Sequence, residues 1–338
     1  MKFHQVKTLF WKKHFLSQFF RHAHKEHYID KPVLYPLTSR KLINVKGNDA
    51  SIYLQGLITN DMRHFEEGAK SVYAMFLNNK GRVLYDTLIH KWKDNDSFLI
   101  ECDSSTISAM QKLLKMYKLK RQLEIKDVNE EIKLWVLISS TVPNMKEKNV
   151  HIYKDPRLVE LGYRIISPLS LNESQLVDIF GSDLSISNSE DGYKYLRYKL
   201  GVGEGADDLP PATSFPLEAN CDYLHGVSFH KGCYIGQELT ARVHHTGVVR
   251  KRIMPLKFTK EIKDSIEKDT VVNSSENPKL NLGKLKGIVH NYGLGLMRIK
   301  EALDAKMLKV GDYEAEVLKP SWWPIEAPRE INVKKEQN

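Results

Sequence analysis

The chain has 338 residues, 41% apolar and 28% charged, which is ordinary for a soluble globular protein and long enough for two or three compact units. Its formal net charge of +9 suggests nucleic acid until it is located: Lys2, Lys7, Lys12, Lys13, Arg21 and Lys25 lie in the first 25 residues with no acid beside them, leaving 45 basic side chains against 42 acidic ones. The basicity is a tail property, so the body carries no nucleic-acid signal. Three cysteines, Cys102, Cys221 and Cys233, without a C-x-x-C pair, argue against a disulfide framework and exclude a self-contained four-thiolate zinc or iron–sulfur site.

The tail also places Phe3, Val6, Leu9, Phe10, Phe15, Leu16, Phe19 and Phe20 near helical spacing. A basic, acid-free, amphipathic segment fits a mitochondrial transit peptide, assigned to residues 1–28, and import into the matrix. No apolar run reaches the roughly 18 residues of a membrane span.

After the tail, residues 41–46 read as a strand and residues 50–58 as a helix with Tyr53, Leu54 and Leu57 on one face. Residues 71–77 and 82–90 flank Asn78-Asn79-Lys80-Gly81, a four-residue hairpin signal. A strand at 97–102 and a helix burying Ile107, Met110, Leu113, Leu114 and Tyr117 follow. Further strands are expected at 122–128, 133–138, 150–153 and 163–166, with helices at 173–180 and 190–200, the second stopped by Gly201. The glycine-rich run 201–205 reads as a loop with free backbone N–H groups; no strand precedes it, so it makes no dinucleotide fingerprint. Beyond residue 252, short apolar runs punctuated by Gly283, Gly287, Gly293 and Gly295 predict a small β-barrel or sandwich, with Trp322 and Trp323 sealing its last strand.

The stretch most able to carry chemistry is Lys231-Gly232-Cys233-Tyr234-Ile235-Gly236-Gln237-Glu238. Gly232 and Gly236 allow a tight turn presenting Cys233 and Tyr234, and residues 237–245 read as a helix meeting Gly247. A thiol just before a helix N-terminus, with Lys231 two residues upstream, sits in positive potential. That suits a metal ligand or a nucleophile; the plainer reading is a small buried residue in a turn. His225, His230, His244 and His245 read as surface or packing residues, any one of which could join Cys233 as ligand or base. Arg242, Arg250, Lys251 and Arg252 form a local basic patch, either a solvated strand edge or a dock for an acidic partner. Glu218, after Pro216, reads as charge support at a helix start.

Three blocks, residues 197–202 (R-Y-K-L-G-V), 215–220 (F-P-L-E-A-N) and 231–238 (K-G-C-Y-I-G-Q-E), together with 54–61 (L-Q-G-L-I-T-N-D) and 77–82 (L-N-N-K-G-R), resemble the folate-binding, glycine-cleavage T-protein-like iron–sulfur cluster assembly factors of bacteria and mitochondria. The resemblance runs from about residue 36 to 325. It implies an α+β, ring-like T-protein fold with a C-terminal β-barrel: a folate-binding-type region of two interleaved α+β subdomains at 29–251 carrying the Cys233 motif, a barrel at 252–325, and a tail at 326–338.

The same resemblance implies an assembly factor rather than an enzyme. It would act late in mitochondrial assembly with A-type iron–sulfur carrier proteins, maturing [4Fe–4S] proteins of the aconitase and lipoyl synthase type. Cys233 is its functional thiol and cluster ligand, supported by Lys231, Gly232, Tyr234, Gly236, Gln237 and Glu238. One thiol cannot complete a [2Fe–2S] or [4Fe–4S] core, so the remaining ligands would come from the partner or a small thiol. Asn60, Asp61, Asp86 and Arg197 are placed at a tetrahydrofolate-sized cavity. The alternatives are a tetrahydrofolate-dependent aminomethyltransferase and a Cys-nucleophile enzyme. Against the first, the T-proteins' paired aspartates align with Tyr85 and Asp86 and their pterin-binding glutamate with Lys199, a cation that cannot accept pterin N–H bonds.

Overall fold

The chain splits its first two strands between two sheets. In a computed structural model, which describes residues 31–140 and 149–325, Val33–Pro36 (β1) joins one sheet and Arg40–Lys46 (β2) the other. The expected transit segment and the tail at 326–338 lie outside the described residues. Ala50–Gln55 (α1) follows, burying Tyr53 and Leu54.

Ser71–Leu77 (β3) and Val83–Lys91 (β4) pair as the expected hairpin, and its tip closes with the Gly81 amide donating to the Asn78 carbonyl at 2.9 Å. Ser97–Asp103 (β5), Ile107–Lys118 (α2) and Glu124–Asp127 (β6) complete a sheet ordered β3-β4-β5-β2-β6. Ile132–Ile138 (β7), His151–Lys154 (β8), Tyr163–Pro168 (β9) and Ser185–Ile186 (β10) build the second sheet, ordered β10-β1-β7-β9-β8. Glu173–Phe180 (α3) begins with an Asn172–Gln175 capping box, which satisfies amides that the first helical turn leaves open. The sequence reading missed β1 and β10, two short strands that pair in parallel across 150 residues of chain.

The two sheets share one apolar core in which Leu42, Leu88 and Leu99 of the first meet Val136 and Ile166 of the second. Asp191–Leu200 (α4) lies against it through Tyr193 and Leu200 and stops at Gly201, which takes the left-handed conformation. Gly205–Asp208 (α5) makes a single turn where a loop was expected. No helix forms at Pro216–Glu218. Residues 216–225 run as consecutive turns, and the Glu218 carboxylate accepts from the Phe215 amide at 3.4 Å, with burial raising its pKa.

Gln237–Thr246 (α6) ends at Gly247 as the sequence predicts. Lys251–Phe258 (β11), Val271–Ser274 (β12), Asn281–Val289 (β13), Tyr292–Arg298 (β14), Leu308–Val310 (β15) and Tyr313–Val317 (β16) then close a barrel, with Ile299–Asp304 (α7) after β14. Closure leaves no unpaired strand edge. Trp323 is buried in the barrel core, as expected of a residue sealing the last strand.

Candidate functional site

The segment Cys221–Ile235 lies along the loop that follows α1, residue by residue. Ser228 N donates to Thr59 O at 3.0 Å, Asn60 Nδ2 to His225 O at 2.8 Å, and Ile235 N to Gly56 O at 3.1 Å. The same loop braces itself: Asp61 accepts from Gln55 Nε2 and the Arg63 amide, each at 3.0 Å, and pairs with Arg63. Burial raises the Asp61 pKa, but these bonds win and hold it at about 2.

From this seam the chain turns outward at Cys233. The thiol is exposed, while Cys102 and Cys221 are buried. Burial pushes the Cys102 thiol up to about 12 and raises that of Cys221 as well, so neither supplies a thiolate near neutral pH. The turn then closes at Gly236, at φ 77°, where an added Cβ would stand 2.2 Å from the carbonyl oxygen of Asn78. Gly236 is therefore required on two grounds, conformation and close approach. Gly232, expected to share that role, has open space around it and no left-handed backbone. Gln237 ties the turn to α6 by accepting from Tyr234 N at 3.1 Å, and Glu238 sits exposed in the first helical turn.

Lys231 departs from its expected role. Its ammonium does not face outward beside the thiol but reaches back into the α1 seam, donating to Gln55 O (2.7 Å), Ile58 O (2.7 Å) and Asn60 O (2.6 Å). Three N–H donors meet three carbonyls, and Tyr234 covers the ammonium with its ring, 5.0 Å from nitrogen to centroid. Burial lowers its pKa to about 8. Lys231 anchors the thiol loop; it is not arranged to supply the positive field at Cys233. The sequence blocks 54–61, 77–82 and 231–238 thus meet in space, a convergence that spacing along the chain does not reveal.

Asp86 and Arg197 belong to a different place. Between the sheets, Arg40, Arg157, Arg164 and Arg197 interlock with Asp86, Glu101, Asp155, Glu204 and Asp208, all buried. Asp86 accepts from Arg40 (3.1 Å) and Gly205 N (3.0 Å); Glu204 binds Arg157 (2.6 Å) and Arg164 (2.9 Å); Arg197 pairs with Asp208 at 2.7 Å. Amides of the glycine-rich run are therefore taken up by the protein itself: Gly201 N and Val202 N donate to the Tyr198 and Arg197 carbonyls, and Glu204 N and Gly205 N to Asp208 and Asp86. Desolvation raises the Asp86 pKa. It opposes ionisation of Glu204 too, but Arg157, Arg164 and Arg197 hold that group well below the usual carboxylate range. Asn60 and Asp61, by contrast, stay with the Lys231 seam.

On the far side of the motif, Phe229 stacks on His244 with centroids 3.4 Å apart and planes at 7°. Asn220 and Asp222 tie the segment to the barrel through Ile253 O and Arg252. Among the described residues, no hydrogen bond joins a histidine to Cys233, and no group of three or more His, Cys, Asp or Glu side chains is arranged to hold a metal ion. No helix among them is long and apolar enough to cross a membrane.

This arrangement of two sheets, a bridging motif segment and a closed barrel defines a T-protein-like chain. Residues 14–138 match the GCVT N-terminal domain and residues 250–325 the CAF17 C-terminal beta-barrel domain. The structure superposes on the glycine cleavage system aminomethyltransferase T of Bartonella henselae with a TM-score of 0.68 at 14% identity, covering 86% of each chain, a likeness of fold alone. Among curated proteins, the mitochondrial iron–sulfur cluster assembly factor IBA57 of Mus musculus is 35% identical over 320 residues, 87% of this chain and 86% of that protein. The Homo sapiens protein of the same name is 33% identical over 317 residues, 86% and 85% of the two chains. The Mycosarcoma maydis homolog is 32% identical over 351 residues, 86% and 84%. The chain belongs to this family of mitochondrial iron–sulfur cluster assembly factors, whose members are named as assembly factors and not as enzymes.

Proposed function

We propose that this chain acts late in iron–sulfur cluster assembly in the mitochondrial matrix, cooperating with an A-type carrier in the maturation of [4Fe–4S] proteins such as aconitase and lipoyl synthase. Cys233 would share ligation of a [2Fe–2S] or [4Fe–4S] cluster with the carrier. The observation that carries this reading is that Cys233 is the only exposed thiol of the three, so this chain can offer a cluster one sulfur and must receive the rest. A small thiol could complete the ligand set.

For tetrahydrofolate, the carboxylates of the buried network between the sheets are the candidate acceptors among the described residues. Each carboxylate of the buried network is bonded to an arginine or a backbone amide. The polar atoms left without a hydrogen bond there are the donors Arg157 Nη1, Arg164 Nη1 and Arg197 Nε together with Tyr73 Oη and His90 Nδ1, which can accept. A pterin edge that must donate N–H bonds would meet carboxylates of this network that are already engaged.

The test is anaerobic mixing of the purified chain with a cluster-loaded A-type carrier, followed by size exclusion and visible absorption, with Cys233→Ser alongside. A coloured heterocomplex that needs both the cluster and Cys233 is expected. A complex that forms equally with Cys233→Ser would remove the shared-ligation reading.

A further inference from the structure

The barrel edge next to α6 carries a charge arrangement that the fold itself does not explain. Lys251 of β11 and Arg298 of β14 stand directly opposite each other in an antiparallel pair, and both are exposed. Like charges in that position are destabilising. Arg250 adjoins them, its carbonyl accepting from the Ile299 amide at 3.0 Å, and Arg242 projects from α6 a short way back along the chain.

Some surface cations have a local partner, as Lys194 has Asp207, Lys126 has Glu131 and Lys286 has Asp269. Those of this patch do not. Among the described residues, Arg242, Arg250, Lys251 and Arg298 form no ion pair, and residues 239–260 contain no acidic side chain. Glu218, whose pKa burial raises and Lys251 in part lowers, is half-buried and bonded to the Phe215 amide.

Helix α6 links the patch to the thiol loop. Helix α6 has ten residues, about 15 Å of rise, and its first turn follows the Cys233 loop while its last turn leads to Arg250. Phe229 stacked on His244 lays the stretch leading to Cys233 along that helix; burial and His245 lower the His244 pKa, Asp222 opposes them and His230 adds to them. Glu238 stands exposed in the first turn next to the thiol loop, so the positive strip begins at Arg242, one turn further along α6, and runs to the barrel edge.

We infer that this strip is the docking surface for an acidic face of the cluster-bearing protein partner, which it steers so that the partner's cluster arrives at Cys233. The inference rests on the shared-ligation reading for its geometry. A cluster held by thiolates is itself net negative, so the same field favours cargo and carrier together. Retaining like charges opposite one another costs stability that association recovers.

The test measures association rates of the full chain with immobilised A-type carrier, apo and cluster-loaded, between low and high salt. Arg298→Glu and the double variant Arg250→Glu/Arg298→Glu are compared with Lys120→Glu, an exposed cation beyond the end of α2, and with Cys233→Ser. The double reversal is expected to slow association about tenfold at low ionic strength and flatten its salt dependence. Lys120→Glu should match the parent. Arg298→Glu should melt no lower than the parent, because it sets a carboxylate opposite Lys251.

Cys233→Ser separates the two ideas. Steered, salt-dependent association that survives in Cys233→Ser supports the docking surface whether or not ligation is shared. Parental rates and salt slope in the double reversal would overturn it. Failure of the parent to bind either carrier form, with reversal-sensitive binding to vesicles of 30% anionic phospholipid or without it, would overturn the protein-partner assignment.

Discussion

The ammonium nitrogen of Lys231 lies 2.6 Å from the carbonyl oxygen of Asn60, and the carbonyls of Gln55 and Ile58 complete a three-point cage around it. A residue two positions before the exposed thiol is thus fastened to the loop that follows α1. The position of Cys233 is set by the first sheet's loop as much as by its own turn.

Removing the cage's occupant should loosen the thiol loop. Lys231→Met leaves three carbonyls without their donor, a loss of about 2–3 kcal/mol for hydrogen bonds to a charged group. Lys231→Arg keeps the charge but presents a planar fork in place of a tripod, so it should not restore the parent. The readout is the rate at which Cys233 reacts with a thiol reagent, together with cluster-complex formation. A Met variant with parental labelling and complex formation would show that the anchor positions nothing.

The Gly236 contact offers a sharper probe with an internal control. Gly236→Ala must hold φ at 77° and drive its Cβ to 2.2 Å from Asn78 O, so a loss of about 2 kcal/mol or more is expected, with displacement of the motif from the β3–β4 tip. Gly56→Ala meets nothing nearer than 3.8 Å and should stay within about 0.5 kcal/mol of the parent. Chemical denaturation of both variants settles the comparison; equal midpoints would mean that the turn relaxes freely.

Thiol accessibility should divide the cysteines one against two. With native protein, one equivalent is expected to react quickly, and none in Cys233→Ser, since Cys102 and Cys221 are buried with raised pKa values. The other two should appear only on unfolding. Rapid titration of a second thiol in the folded protein would contradict the burial on which the single-ligand argument depends.

Most of the elements were legible because their periods are clean: the apolar spacing of α2, the Asn78–Gly81 hairpin, and the glycine stops after α4 and α6. The motif's own geometry was legible only in part. Residue types told that Gly236 permits a left-handed turn, but not that Asn78 would press on it. Sequence proximity put Lys231 beside the thiol, whereas a four-carbon side chain can reach either way, and desolvated carbonyls across the fold decided the direction. The buried network left a faint trace. Arg164 shares a strand face with Ile166, and Glu101 with Leu99, so charged residues fall at inward positions of apolar strands. That pattern marks charges that must find partners, but which partners is set by packing between sheets.

The acid limb of stability should report on that network. Desolvation works against ionised Glu101, yet Arg164, His90 and Arg40 hold it at about 2, below its ordinary 4.5, and Glu204 is lowered in the same direction. A carboxylate with a depressed native pKa binds fewer protons folded than unfolded, so its contribution is complete above about pH 4.5 and is lost as pH falls toward 2. Asp86, whose pKa is raised by burial, acts in the opposite sense and partly offsets the slope. Glu101→Gln leaves Arg40 and Arg164 short of a counter-charge and should cost about 3–5 kcal/mol at neutral pH. It should also flatten the fall in melting temperature between pH 5 and pH 3, because one depressed group no longer titrates. A Gln variant with the parent's slope over that window would show that Glu101 is not the group whose protonation unlocks the two sheets.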